Sequence, residues 1–261
     1  MKNRIDHLFE RKPRGVLSVY FTAGYPQLED TMPIIRSLAN KGVDMIEIGM
    51  PFSDPLADGP VIQQSSQEAL KNGMSIKKLF EQLEYVRDIT DIPLILMGYL
   101  NPVLYYGVEN FCKKAADIGI DGIILPDLPV EEYEESYQAI FDKYQLHNIM
   151  LITPQTKTGR LKLIAQHTGG FLYMVSAAST TGAKKGFASE QIEYFERIRK
   201  MDLAVPRLIG FGISSHEAYV KACEYAHGVI IGSAFIKALH EEGGLDEKVK
   251  HFVESITNTN D

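Results

Sequence analysis

The sequence predicts an α/β fold of the closed (β/α)8 TIM-barrel type, a single domain over residues 1–261. Three observations predict it. Strand-like and helix-like segments alternate eight times with no linker or shift in composition. The strand-like segments are continuous apolar runs, as in a parallel sheet covered on both faces. Eight such units in 261 residues match the usual barrel length of about 250 residues. An open, doubly wound sheet is the alternative. Weak internal echoes favour the barrel: GVDMIEIG, GIDGIILPD, GGFLYMVS and HGVIIG each set a glycine just before an apolar strand, at even-numbered units.

The elements follow in order. Residues 1–12 read as an extra N-terminal amphipathic helix, with Ile5, Leu8 and Phe9 on one face. Residues 16–22 (VLSVYFT) are the first strand, and Ala23-Gly24-Tyr25-Pro26 is a turn. Residues 30–41 have Ile34, Ile35 and Leu38 at helical spacing and Gly42 as a stop. Residues 44–49 are the second strand. Helices at 61–72 and 75–90 follow, the second with Ile76, Leu79, Leu83 and Val86 on one side. The third strand spans 92–97 and its helix 108–118; the fourth spans 121–125, before an acidic helix at 131–144. The fifth strand is 147–153, with a helix at 158–167, and the sixth is 171–175. A long loop at 176–190, rich in small and hydroxyl residues, leads to a helix at 191–200. The seventh strand is 205–210, with a helix at 214–225 capped by Ser214 or Ser215, and the eighth is 229–231. A short helix at 234–240 precedes the last one, at 245–257.

Composition excludes several classes. Net charge is −7 and the pI is near 5.6, which argues against non-specific nucleic-acid binding. Cys112 and Cys223 are the only cysteines, too few for a disulfide framework or a thiolate zinc site and in keeping with a reducing compartment. The charged N-terminus has no apolar signal core, and no run approaches the ~18 apolar residues of a membrane span. The expected location is the cytoplasm. H-E-x-x-H, Walker A and G-x-S-x-G motifs are absent. No metal site is expected, and no lysine inside an apolar strand offers Schiff-base chemistry.

The stretch from Asp44 to Pro60, DMIEIGMPFSDPLADGP, organises the rest. Glu47 sits among Met45, Ile46 and Ile48, where a carboxylate costs several kcal/mol unless paired or protonated. A structural ion pair or a hydrogen-bonded core acid would explain it. So would an acid–base residue with a raised pKa, backed by Asp58 in the proline-rich loop that follows. Barrel enzymes gather function at the carboxyl ends of the strands. Glu47, Asp58, Tyr173 in the sixth strand, and Gly182, Gly210, Gly212 and Gly232 all fall there. Gly210-Phe211-Gly212-Ile213-Ser214-Ser215 and Gly232-Ser233 both lead from a strand into a helix, where backbone N–H groups attract phosphate. A phosphate-binding site after the last strands follows; the spacing is not that of a dinucleotide fingerprint.

EIGMPFSDPLADGPVIQ (47–63) resembles the signature of the tryptophan synthase alpha chain family. The resemblance continues through FTAGYP (21–26), NPVLYYG (101–107), LPDLPVEE (125–132), Thr181-Gly182, GFGISS (210–215) and IGSA (231–234), covering the chain in order. It implies a (β/α)8 lyase that cleaves indole-3-glycerol phosphate to indole and glyceraldehyde 3-phosphate. It also implies a beta-chain partner in an alpha2-beta2 assembly, with pyridoxal phosphate in the beta chain and no cofactor in this one. By the same resemblance Glu47 is the acid–base residue, Asp58 the catalytic aspartate and Tyr173 the tyrosine beside the glutamate. Tyr20 lies against the indole. Gly182, Gly212, Gly232 and Ser233, with Gly210, form the phosphate cradle. Thr181 belongs to the mobile loop that closes on Asp58, and Ser53, Asp54 and Pro55 face the beta chain. The chain departs from the family where Ala177 and Ser179 replace a usual Arg and Gly in SAASTTG (176–182), and where Tyr25 replaces a common Asp. A non-catalytic regulatory subunit that keeps the phosphate site is the alternative function. Another phosphate-binding barrel enzyme of the same pathway is a third, disfavoured by the loop between Pro51 and Pro60.

Overall fold

The computed structural model describes residues 2–176, 187–201 and 203–258. Nine strands form one parallel sheet: β1 (Val16–Thr22), β2 (Met45–Gly49), β3 (Leu94–Met97), β4 (Gly122–Ile124), β5 (His147–Asn148), β6 (Leu151–Ile152), β7 (Leu172–Val175), β8 (Arg207–Gly210) and β9 (Gly228–Ile231). Their order is β5-β4-β3-β2-β1-β9-β8-β7-β6. The two ends of that order, β5 and β6, are successive pieces of one segment, 147–152. Its first half bonds to β4 and its second to β7. Ile149 N donates to Ile123 O and Tyr173 N to Met150 O, both at 3.0 Å, so the sheet curls back onto itself. The single fifth strand expected from the sequence is thus two short ones, because the chain changes partners at Ile149–Met150.

Helices alternate with these strands: α1 (Arg4–Arg11), α2 (Thr31–Asn40), α3 (Pro60–Lys71), α4 (Ile76–Gln82), α5 (Leu100–Tyr106), α6 (Val108–Asp117), α7 (Val130–Glu132), α8 (Gln138–Lys143), α9 (Thr158–His167), α10 (Ser189–Arg199), α11 (His216–Cys223), α12 (Ser233–Ala238) and α13 (Leu245–Thr257). A π-helical turn, Tyr133–Tyr137, joins α7 to α8 and makes the expected acidic helix continuous. The helix expected over 75–90 ends at Gln82. Beyond it, the Arg87 guanidinium donates to the carbonyls of Thr90, Ile92 and Gly119 and to Asp121, which fixes a tighter path than an α-helix allows. α5 was not expected; Pro102 in its first turn is tolerated because the N–H it lacks has no partner inside the helix.

Strand parity divides the core. Leu17, Val19, Phe21, Ile46, Ile48, Leu94 and Leu96 pack outward under the helices. Val16, Met45, Ile95, Ile124, Ile149, Tyr173, Leu208 and Ile230 fill the inside, together with Ile5, Leu8 and Phe9 of α1. α1 therefore plugs the amino end of the barrel. Asn3 caps it and reaches the Asp121 carbonyl. The buried Asp121 carboxylate accepts from Arg4, Arg87 and Leu94 N. With that end filled, the cleft of the barrel lies at the carboxyl ends of the strands.

Candidate active site

Glu47 lies in β2 between Tyr20 of β1 and Ile95 of β3. Met45 and Glu47 alternate with the outward Ile46 and Ile48, so the carboxyl points into the barrel. It is fully buried. Ser18 Oγ donates to its Oε1 at 3.0 Å, and Oε2 has no hydrogen-bond partner among the described residues. Burial raises its pKa to about 8, against a smaller downward pull from the Ser18 hydrogen bond. Among the described residues no cation pairs with Glu47, so the structural ion pair is not found there. At neutral pH the group is a protonated acid, the state that a carboxyl with one neutral donor and a dry surround adopts.

Asp58 follows on the loop after β2, half-buried at the carboxyl end. Tyr99, at the start of α5, donates its phenol to Asp58 Oδ2 at 3.0 Å and accepts from Ala57 N at 3.0 Å. Gln63 Nε2 donates to the Asp58 carbonyl at 2.9 Å. These bonds fix a loop whose prolines already limit its backbone. Burial raises Asp58 to about 6, and the Tyr99 hydrogen bond offsets part of that. The two carboxyls are therefore pushed apart, one neutral and one largely ionised at pH 7, which is the pattern of an acid paired with an electrostatic stabiliser.

At the carboxyl ends of the strands lies a cleft with two lobes that share Tyr20, Asp58 and Met97. The larger, with an empty volume of about 360 Å³, is also lined by Ile62, Tyr173, Phe211, Ile230, Gly232 and Ser233. The smaller, about 280 Å³, adds Met50, Phe52, Ser66, Gly98, Tyr99 and Pro126. Phe52 stacks near Tyr99 with ring centroids 5.2 Å apart, and Tyr173 meets Phe211 edge-on at 6.3 Å. This is an aromatic slot with polar groups at its margins. The phenols of Tyr20 and Tyr173 are both pushed upward, first by burial and then by the charges of Glu47 and Asp58. Both stay protonated donors.

The expected residues distribute as follows. Tyr20, Asp58, Tyr173, Gly232 and Ser233 line the cleft. Glu47 lies beside Tyr20 and Tyr173 without lining either lobe. Gly212 follows Phe211, and both adopt left-handed backbone, with φ +77° and +70°. Among the described residues a Cβ on Gly212 would meet only Ser176 Oγ, at 3.7 Å. The strained Phe211 is held by Ser176 Oγ, which donates to its carbonyl at 2.6 Å. Gly210 sits in β8 under the Tyr173 ring, where a Cβ would fall 2.3 Å from the phenol oxygen; its lack of a side chain makes room for Tyr173. Thr181 and Gly182 lie outside the described residues. Ser53 and Asp54 are exposed and hydrogen-bonded to each other. Pro55 is buried, and the neighbouring Leu56, 92% exposed, presents the apolar surface instead.

Phe52, Met97, Tyr99 and Phe211 were not singled out from the sequence. Phe211 carried a signal, since it stands between two glycines of the suspected phosphate turn. Tyr99 carried none, being forty-one positions from its partner Asp58. Among the described residues no group of three or more His, Cys, Asp or Glu side chains is placed to hold a metal, and no helix is long and apolar enough to cross a membrane.

Comparison with known proteins gives a consistent result. The family model described as tryptophan synthase alpha chain matches residues 8–260. A relative from Flavobacterium johnsoniae, named tryptophan synthase alpha chain, is 55% identical over 254 residues, 97% of this chain and 99% of its own. One from Bacteroides fragilis with the same name is 54% identical over 240 residues, 92% of this chain and 91% of its own. The crystal structure of tryptophan synthase subunit alpha from Legionella pneumophila superposes with a TM-score of 0.88 at 33% identity, covering 99% of this chain and 98% of that one. A structure of Mycobacterium tuberculosis tryptophan synthase superposes at 0.89 and 29% identity, with coverage of 99% and 98%. The barrel, the paired carboxyls at its open end and these matches agree: the chain belongs to the tryptophan synthase alpha chain family.

Proposed function

We propose that this chain, acting as one barrel domain, cleaves indole-3-glycerol phosphate to indole and glyceraldehyde 3-phosphate, the alpha reaction of tryptophan biosynthesis. The observation that carries it is the pair of carboxyls beside one aromatic cleft, Glu47 neutral and Asp58 ionised at pH 7. Glu47 donates its proton to indole C3, turning the ring into an indolenine cation. Asp58 takes the hydrogen bond from the ring N–H and stabilises that charge. Glu47, now a carboxylate, removes the proton from the hydroxyl on the carbon bonded to C3. A C=O bond forms, the carbon–carbon bond breaks, and its electrons restore the indole. One proton is given and one recovered, so Glu47 ends as it began. Among the described residues Glu47 has one side-chain hydrogen bond, from Ser18 Oγ, and its proton reaches the cleft by a turn of the side chain.

Met97 and Phe211 offer apolar faces to the indole, and Tyr173 packs beside the reacting carbon. Gly212, Gly232 and Ser233 offer backbone and hydroxyl donors to the phosphate. Gly210 serves by accommodating Tyr173. Retention of both carboxyls favours catalysis over a purely regulatory role.

The indole passes to a beta chain, which supplies pyridoxal phosphate; this chain needs no cofactor of its own. Ser53, Asp54 and Leu56 lie exposed on the loop after β2, and Tyr105 lies exposed on α5. Loop and helix are joined through Tyr99, which contacts Ala57 and begins α5, and they form the surface the beta chain covers. Free thiols at Cys112 and Cys223 suit the cytoplasm.

The test is an indole-release assay on the purified chain, with and without a beta chain. Glu47→Gln is expected to lower the rate by about 10²–10⁴ while the protein stays folded by circular dichroism. Full activity in Glu47→Gln would refute the assignment.

A further inference from the structure

We propose that Ser18 is a positioning residue that decides which oxygen of Glu47 carries the transferable proton. It rests on the acid–base role just given to Glu47. Ser18 lies one strand over, on β1, and is itself fully buried. Among the described residues its hydroxyl has one hydrogen bond, to Glu47 Oε1 at 3.0 Å. Ser18 Oγ donates to Oε1, so on the protonated acid Oε1 is the carbonyl oxygen. The acid proton is left on Oε2, the oxygen with no partner among the described residues. An unpartnered acid proton inside a dry barrel is poised to be given away, because no bond within the protein has to break first.

The same hydrogen bond serves the second half of the cycle. Once Glu47 has released its proton, the Ser18 O–H still points at Oε1 and now stabilises a carboxylate. It is the one neutral donor offsetting the cost of ionising the group in this site. Removing it makes the carboxyl harder to ionise. It also lets the two oxygens exchange roles, so that part of the population holds its proton on the wrong side.

Ser18→Ala and Ser18→Cys test the idea, Cys keeping the volume with a weaker donor. The basic limb of the kcat profile is expected to move to higher pH in the order Ser, Cys, Ala. In Ala, kcat is expected to fall about tenfold with KM changed less than about twofold, as for an interaction felt at the chemical step. A structural role alone would not move the limb.

Infrared difference spectra between each form and its Glu47→Gln counterpart isolate the protonated C=O stretch of Glu47 without need of activity. That band is expected at higher wavenumber in Ser18→Ala, where the carbonyl oxygen has lost its donor. Superimposable pH profiles and an unmoved band would overturn the proposal. Activity surviving in Glu47→Gln would instead sink the acid–base role, while the infrared band would still report the Ser18 contact.

Discussion

The phenol oxygen of Tyr20 stands where a side chain at residue 49 would begin: a Cβ on Gly49 would fall 2.2 Å from it and 2.5 Å from the adjoining ring carbon. β1 and β2 run in register so that Tyr20 faces Glu47 and Thr22 faces Gly49. The ring of Tyr20 leans over the next strand because nothing is there to stop it. It meets Gly232 on the other side, where a Cβ would lie 3.2 Å from the ring. Gly49 at the end of β2 and Gly232 just after β9 thus make the slot that one tyrosine fills.

Gly49→Ala should therefore displace Tyr20, not merely crowd it. Overpacking of this kind costs about 1–3 kcal/mol, and the displaced ring would enter the cleft. We expect lower stability in urea and an indole-release rate reduced at least tenfold. Tyr20→Leu added to Gly49→Ala should restore most of the stability, since the clash involves ring atoms that leucine lacks. Equal stability of wild type and Gly49→Ala would show that the slot is loose.

The two carboxyls set the pH dependence of kcat/KM. The active form has Asp58 ionised and Glu47 protonated. Asp58 loses its proton through about pH 6, so the rate should rise there. Glu47 loses its proton through about pH 8, so the rate should fall there. The expected profile is a bell between those limits. In Asp58→Asn the residual rate should lack the acidic limb; persistence of that limb would assign it to another group.

Glu47 should also make the protein less stable as pH rises. Its folded pKa of about 8 lies above the ordinary glutamate value of 4.5. The stabilisation linked to its proton is complete below about 4.5 and is lost as pH climbs through 8. The slope is about 1.4 kcal/mol per pH unit within that window. Glu47→Gln, which cannot ionise, escapes the loss. We expect it to match wild type near pH 4.5 and to exceed it by a few kcal/mol at pH 9 in urea unfolding. A constant difference across that range would mean that Glu47 does not titrate with folding.

Most of the barrel was legible because its strands are apolar on both faces, and every strand except the fifth is one unbroken element. The fifth strand was not, since which neighbour each half bonds depends on curvature that no local pattern records. Glu47 was legible because a carboxylate in MIEIG violates the expected pattern. Asp58 came from its loop and from the family signature. Tyr99 and Ser18 were not, as each acts on a carboxyl brought near only by folding. Gly210 was read as a phosphate residue because glycine before a turn has several uses, and only the position of the Tyr173 ring separates them.

Exposed apolar groups at the cleft end give the last prediction. Tyr105 is 96% exposed and Leu56 92%, and exposed apolar groups gathered in one region mark an interaction surface. Leu104 beside Tyr105 is also exposed. Ala57, next to Leu56, bonds to Tyr99, the residue that begins the helix bearing Tyr105, so both side chains ride on one connected mouth. Burying an aromatic anchor at an interface centre is commonly worth about 2 kcal/mol or more. Tyr105→Ala should therefore weaken beta-chain binding by roughly tenfold or more, read by titrating the stimulation of the partner's activity. The indole-release rate of the isolated chain should stay unchanged, because Tyr105 does not line the cleft. Leu56→Ser should act in the same direction. Unaltered affinity in both variants would place the beta chain on a different face of the barrel.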